Sequence, residues 1–118
     1  MAIAGISDSV TIALHMAING LDTRQKAIAS NIANVETPNY LGHEVSFEDS
    51  LRTAYDDGDP LQMDVSVKNS TAPVGANGNN VSIDTELLAG DENLLRQKLV
   101  IQALNSKYAL LRTAMSGN

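Results

Sequence analysis

A chain of 118 residues with 14 Asp and Glu against 8 Lys and Arg, net charge −6, has room for one domain and too little basic surface for nucleic acid. Cysteine is absent, which excludes a disulfide framework or a thiolate metal site, and the aromatic residues are Phe47 and three tyrosines, few for a compact globule. The charge is unevenly placed. Residues 36–80 hold eight acids against Arg52 and Lys68, while residues 1–35 and 81–118 each sum to zero, which suits terminal surfaces that will be covered.

The first stretch has no basic n-region, and polar residues interrupt its apolar run, so no cleaved signal peptide is expected. No apolar run reaches about eighteen residues, the length a membrane-spanning helix needs. Leu14, Ile18, Leu21, Ile28, Ile32 and Val35 fall on alternating steps of four and three, with Gln25 as the polar member. That is the stripe of a helix packed along a partner helix. Ile3, Ile6 and Val10 extend it toward the N-terminus, while Ile12 and Met16 lie on another face and call for a second neighbour. Gly20 costs the helix about 1 kcal/mol relative to Ala; it either admits a neighbouring backbone or is simply tolerated. Asn34 is placed to end the helix in a left-handed conformation, and Pro38 biases Thr37 toward an extended one. Asn31 sits inside the helix beside Ile32, where it is either solvated or buried against a partner that fixes register. Residues 1–40 thus form a helix with its termination motif.

Residues 41–80 read as an acidic, mostly irregular segment. Ser46-Phe47-Glu48-Asp49 resembles a capping box that starts a short helix ending at Tyr55. Asp56–Pro60 is a turn signal. Met63–Val67 alternates as one short strand does, with no partner strand in view. Asn69–Asn80, rich in Asn and Gly, reads as a flexible loop.

Residues 81–118 give the second long helix. Leu87, Leu94, Ile101, Tyr108 and Met115 recur every seven residues, and Leu104 and Leu111 follow two of them by three, an a/d seam. Ser82 or Asp84 can cap its start, Gly90 weakens its first turns and Gly117 suits its stop. Its acids come early and its bases late, which complements the helix dipole. The resulting expectation is an all-α fold in which the two terminal heptad helices pair as a coiled coil, forming one structural domain. Leu99, Val100 and Leu110, with Ile12 and Met16, are then left for further partners. His15 and His43 have no catalytic partner by motif, and Asp56, Asp57 and Asp59 lack calcium-loop spacing. No catalytic residue, metal, cofactor or small-molecule substrate is expected.

The stretch Ser30-Asn31-Ile32-Ala33-Asn34, followed by Thr37, Pro38, Asn39 and Tyr40, resembles the signature of flagellar basal-body rod and hook proteins. In that family S-N-I-A-N is followed by two variable residues, then T-x-G and an aromatic. Asn80-Val81-Ser82-Ile83-Asp84-Thr85-Glu86 is similar to the N-V-D-L-x-x-E start of the family's last helix. Two positions depart from the pattern: Asn39 stands where Gly is usual, and Ser82 where Asp is common. Thr37-Pro38, the short middle segment and the ending Leu111–Met115 look most like the short proximal rod members. The resemblance implies a structural subunit, exported without a cleaved signal peptide through the flagellar type III apparatus. It also implies polymerisation, with copies of itself and with other rod subunits, at the base of the periplasmic axial tube beside the membrane-embedded ring. Other classes that fit are a soluble helical adaptor or secretion chaperone, and another short rod subunit.

Overall fold

The computed structural model describes the backbone of residues 2–116, with side chains from residue 9 onward. The elements in order are α1 (Ala2–Ala33), β1 (His43–Ser46), α2 (Glu48–Asp56), a 3-10 turn (Pro60–Gln62), β2 (Ser66–Asn69) and α3 (Ile83–Ser116). The architecture is mostly helical, with a small antiparallel sheet that the all-α expectation omitted. At about 1.5 Å per residue α1 and α3 are each roughly 50 Å long, and the molecule measures 67 × 25 × 14 Å.

α1 and α3 lie side by side and antiparallel. Ile28 faces Gly90, Leu21 and Gln25 meet Asn93, and His15 Nε2 lies 3.0 Å from Tyr108 Oη. The stripe on α1 is turned inward as its spacing predicts: Leu21 and Ile28 are buried, and Leu14, Ile18, Ile32 and Val35 are half-buried. Ile3 and Ile6 lie outside the described side chains, and Gly117 lies outside the described backbone.

On α3 the inward column differs from the expected seam. Glu86, Ala89, Gly90, Asn93, Gln97, Val100, Leu104, Lys107 and Leu111 are the residues covered, wholly or in part, by the rest of the chain. Leu104 and Leu111 belong to this column, but Leu87, Leu94, Ile101, Tyr108 and Met115 are exposed. Gly90 lies opposite Ile28, where a Cβ would find an ordinary contact at 3.7 Å, so the rotation is set by Asn93. Asn93 is 1% exposed and donates from Nδ2 to Leu21 O and to Gln25 Oε1, each at 2.9 Å. With Asn93 held by these bonds, the leucine column, one residue or about 100° further round, is turned largely to solvent, although Tyr108 still reaches His15 of α1.

The central core sits where α1 meets the middle segment. Leu21, Val45, Phe47 and Met63 are buried together, with Met16, Ala17, Leu51, Val65 and Val100 packed against them. Gly20 admits the ring of Phe47 rather than a backbone, and a Cβ there would stand 2.5 Å from the ring. Arg24 covers Phe47, with its Cζ 4.9 Å from the ring centroid. The same guanidinium donates to both carboxylate oxygens of Glu48, at 2.7 and 2.8 Å, and to Val45 O at 2.9 Å. Arg96 reaches Glu48 Oε2 from α3 at 3.3 Å. One carboxylate therefore joins all three helices. This also explains why α2 begins at Glu48 with Phe47 at its N-cap and no side-chain cap. The anticipated capping box does not form, because its aromatic is drawn into the core and its glutamate onto Arg24.

The strand expected at Met63–Val67 is displaced to Ser66–Asn69. β1 supplies its partner in the antiparallel register His43↔Asn69 to Ser46↔Ser66. Met63 and Val65 precede the paired stretch and are used for packing.

Gly20→Ala is expected to lower the midpoint of thermal unfolding, followed by circular dichroism. The steric cost of about 1–3 kcal/mol outweighs the gain in helix propensity of about 1 kcal/mol. A raised midpoint would mean that Phe47 does not occupy this space.

The Arg24 guanidinium, through its hydrogen bonds, holds the Glu48 carboxyl down at about 2, against 4.5 for the free side chain. A depressed carboxylate contributes stability that is fully present above pH 4.5 and is lost as the pH falls toward 2. Because the side chain is 41% exposed, the contribution is about 1 kcal/mol at most after solvent screening. In paired denaturant titrations, the advantage of wild type over Glu48→Gln is expected to be constant above pH 5 and to shrink below pH 4 (roughly the range between the two pKa values). An advantage independent of pH would refute the pairing.

Candidate functional site: an asparagine-built junction

The end of α1, the start of β1 and the chain entering α3 converge on one cluster of asparagines. Asn31, in the last turn of α1, is 1% exposed. Its Oδ1 accepts from His43 N at 2.8 Å and from Tyr40 Oη at 3.2 Å, and its Nδ2 donates to His43 O at 3.0 Å. One side-chain amide thus satisfies both backbone groups of the first residue of β1, as a neighbouring strand would. Ser30 Oγ, 3.1 Å from Tyr40 Oη, extends the chain of hydroxyls, and the Tyr40 ring stands edge-on to His43. Asn31 is therefore the buried alternative of the two its spacing allowed.

Asn34 ends α1 through its side chain. Nδ2 donates back to Ser30 O at 2.8 Å, and Oδ1 accepts from Thr37 Oγ1 at 3.0 Å. The left-handed residue is Asn39, at φ 62°, not Asn34; among the described residues it is the one non-glycine with positive φ. Asparagine tolerates this conformation better than other side-chain-bearing residues. Ile32 is half-buried, and Ala33 and Pro38 are exposed.

The loop before α3 closes the junction, although its composition reads as flexible. Asn79 Nδ2 donates to Asn34 O and to Thr37 O, both at 2.8 Å, and its Oδ1 accepts from Val81 N at 2.7 Å. Asn80 Oδ1 accepts from Gly42 N at 2.8 Å, while its Nδ2 donates to Ser70 O and Ala72 O. Gly78, at φ 80°, packs on Asn39, and any side chain there would collide with it. Ser82 O accepts from Glu86 N, and Ser82 Oγ lies 3.2 Å from Thr85 Oγ1. Asp84 and Glu86 lie in the first turn of α3, where negative charge favours the helix dipole. Asn79, Gly78, Gly42 and the His43 backbone escaped the sequence reading. The run Asn77-Gly78-Asn79-Asn80 was their signal, since clustered asparagines also bond backbone across a turn.

The junction holds amides and hydroxyls bonded to backbone, and beside it Gly42, His43, Glu44, Ser70, Ser82 and Glu86 line a small cleft of about 150 Å³. Its geometry fixes the directions of three chain segments.

Residues 16–40, which end in this junction, match the flagella basal body rod protein family. The flagellar basal body rod protein FlgB of Bacillus subtilis is 30% identical over 117 residues, covering 88% of this chain and 91% of that protein. The chain belongs to the flagellar basal body rod protein family. FlgB of Borreliella burgdorferi is 28% identical, covering 73% of this chain and 80% of its own, and FlgB of Cereibacter sphaeroides is 28% identical, covering 81% and 85%.

Asn31→Ala is expected to cost about 1–3 kcal/mol in denaturant unfolding, because the His43 amide and carbonyl are left buried without partners. Asn39→Gly is expected to be neutral or slightly stabilising, since glycine adopts the positive φ freely. A stability unchanged by Asn31→Ala would show that the clamp contributes nothing.

Proposed function

We propose that this chain is a structural subunit of the proximal flagellar rod, polymerising through its terminal helices into the axial tube that transmits torque and passes exported subunits. The observation that carries the reading is the apolar column of α3 that the chain leaves uncovered. Leu87, Leu94, Ile101 and Tyr108 are 40–53% exposed and Met115 is 86% exposed. Apolar surface on that scale, continuous along a helix, marks an interface. The relatives over most of the chain's length, all FlgB, are rod proteins of the basal body.

Within each subunit α1 and α3 act as a two-helix coiled coil, with the polar layer of Asn93 and Gln25 fixing its rotation. Between subunits the outward leucine column makes the lateral contacts. The partners are further copies of this chain and the neighbouring rod subunits, with the membrane-embedded ring at the base. Passage through the type III export apparatus requires an unfolded chain, and an elongated molecule with few buried residues gives little resistance to unfolding. α3 is accordingly expected to gain helicity on assembly. Among the described residues no helix is long and apolar enough to cross a membrane, which fits a rod subunit held by protein contacts. The role is structural and needs no cofactor.

Two substitutions separate the inner column from the outer. Leu104→Asp places a charge in the α1–α3 contact and is expected to destabilise the isolated chain by about 3 kcal/mol or more. Ile101→Asp is expected to change its stability by about 0.5 kcal/mol or less, yet to exclude it from detergent-extracted basal bodies assayed by mass spectrometry. Wild-type chain found in soluble complexes and absent from basal bodies would favour a helical adaptor instead. Normal incorporation of Ile101→Asp would reject the outer column as the assembly face.

A further inference from the structure

A groove of about 560 Å³ runs between α1, α2 and the middle of α3. Ala13, Ala17, Leu51 and Leu99 line it, together with Arg52 and Arg96, whose side chains are 74% and 57% exposed. Small residues at the bottom of a trough let a ridge of large side chains approach closely. Glu48 is shared between Arg24 and Arg96, while Arg52 pairs with the almost fully exposed Asp49 at 3.5 Å, so three bases face two acids on this side.

A ridge that fits lies on a different face of the same α3. Leu87, Leu88, Leu94 and Leu95 are 45–61% exposed, and helical geometry places them within an arc of about 120°. Asp84 and Asp91 fall within that arc. α3 is also polarised along its length. Asp84, Glu86, Asp91 and Glu92 all precede Leu94, whereas Arg96, Lys98, Lys107 and Arg112 all follow Leu95. The stretch of α1 that runs beside the basic half, residues 9–21, carries no Asp, Glu, Lys or Arg. Two copies in register would set like charge against like. A shift along the long axis sets the acidic half of one against the basic half of the next, and brings the leucine ridge over the groove.

Resting on the rod-subunit reading, we propose that this groove receives the leucine face of the first half of α3 from a second copy displaced along the long axis. The two surfaces are different, so the contact is heterologous and propagates rather than closing into a symmetric pair. Arg52 and Arg96 of the receiving copy meet Asp84 and Asp91 of the incoming one.

The natural absence of cysteine makes disulfide mapping clean. Full-length chain carrying both Ala13→Cys and Leu95→Cys is expressed in place of wild type, and basal bodies are isolated and oxidised. A second pair, Ala17→Cys with Leu88→Cys, guards against loss of assembly by the first. A ladder of dimers, trimers and longer species from either double variant, with none from the single variants, is the expected result. Dimers from a single variant alone would indicate a symmetric contact and overturn the proposal. Chain present in basal bodies without a ladder from either pair would overturn the groove assignment and leave the rod reading standing. Wild-type chain absent from basal bodies would overturn the rod reading, and the groove assignment with it.

Discussion

The fold depends on one side-chain amide. Asn31 closes both hydrogen-bonding groups of His43, and that contact fixes where the chain goes after α1. A two-stranded sheet in water is marginal without support. Here β1 is held at its first residue by Asn31 and further along by Arg24, which donates to Val45 O. With β1 anchored at two points of α1, Phe47 is delivered to Gly20 and Glu48 to Arg24. β2 pairs with β1, and the loop beyond it returns to Asn34 and Thr37 through Asn79. α3 therefore starts beside the end of α1 and can only run back along it. The antiparallel pairing of two roughly 50 Å helices is set by a few amide contacts at one end.

That hierarchy explains which parts of the fold were legible in the sequence. Both long helices could be read from their heptads, because periodicity over four or more turns is a strong signal. The inward face of α1 could be read too, since Leu21 and Ile28 have no rival column. α3 carries two candidate columns a single residue apart, and periodicity alone does not say which faces α1. Asn93 decides the matter by hydrogen bonding. β1 is four residues long, and its alternation of His43, Val45 and Phe47 is too brief to stand out from loop. The junction was legible only as a motif. Its local part, Ser30 to Tyr40, could be located, but the bonds from Asn79 to Asn34 and from Gly42 to Asn80 span tens of residues, and the run Asn77-Gly78-Asn79-Asn80 does not name their partners. The same Asn and Gly content that signals a flexible loop also builds a pinned one.

The two ends of the molecule are finished to different degrees. At the junction nearly every amide named here has its partners, and the small apolar core lies beside it. Along the shaft the covered column of α3 carries glutamate, asparagine, glutamine and lysine, while leucines face out. A free-standing protein of this size would place those leucines inside. A subunit whose outer faces are to be covered by neighbours can leave them out, provided something prevents α3 from rolling its leucine column onto α1.

Asn93 supplies that constraint, and its unmet hydrogen bond shows at what cost. Its Nδ2 has two acceptors, Leu21 O and Gln25 Oε1, but its buried Oδ1 has no partner within the chain. An unsatisfied buried acceptor costs about 1–3 kcal/mol, so this layer makes the α1–α3 pair weaker than an all-leucine seam would be. Rolling α3 by one residue would bring leucine inward and strand Nδ2 as well. The polar layer thus selects one rotation while holding the pair together only loosely. On the proposed reading a rod subunit needs both properties: terminal helices weak enough to unfold for export, and one way to refold, with the leucine face turned toward a neighbour.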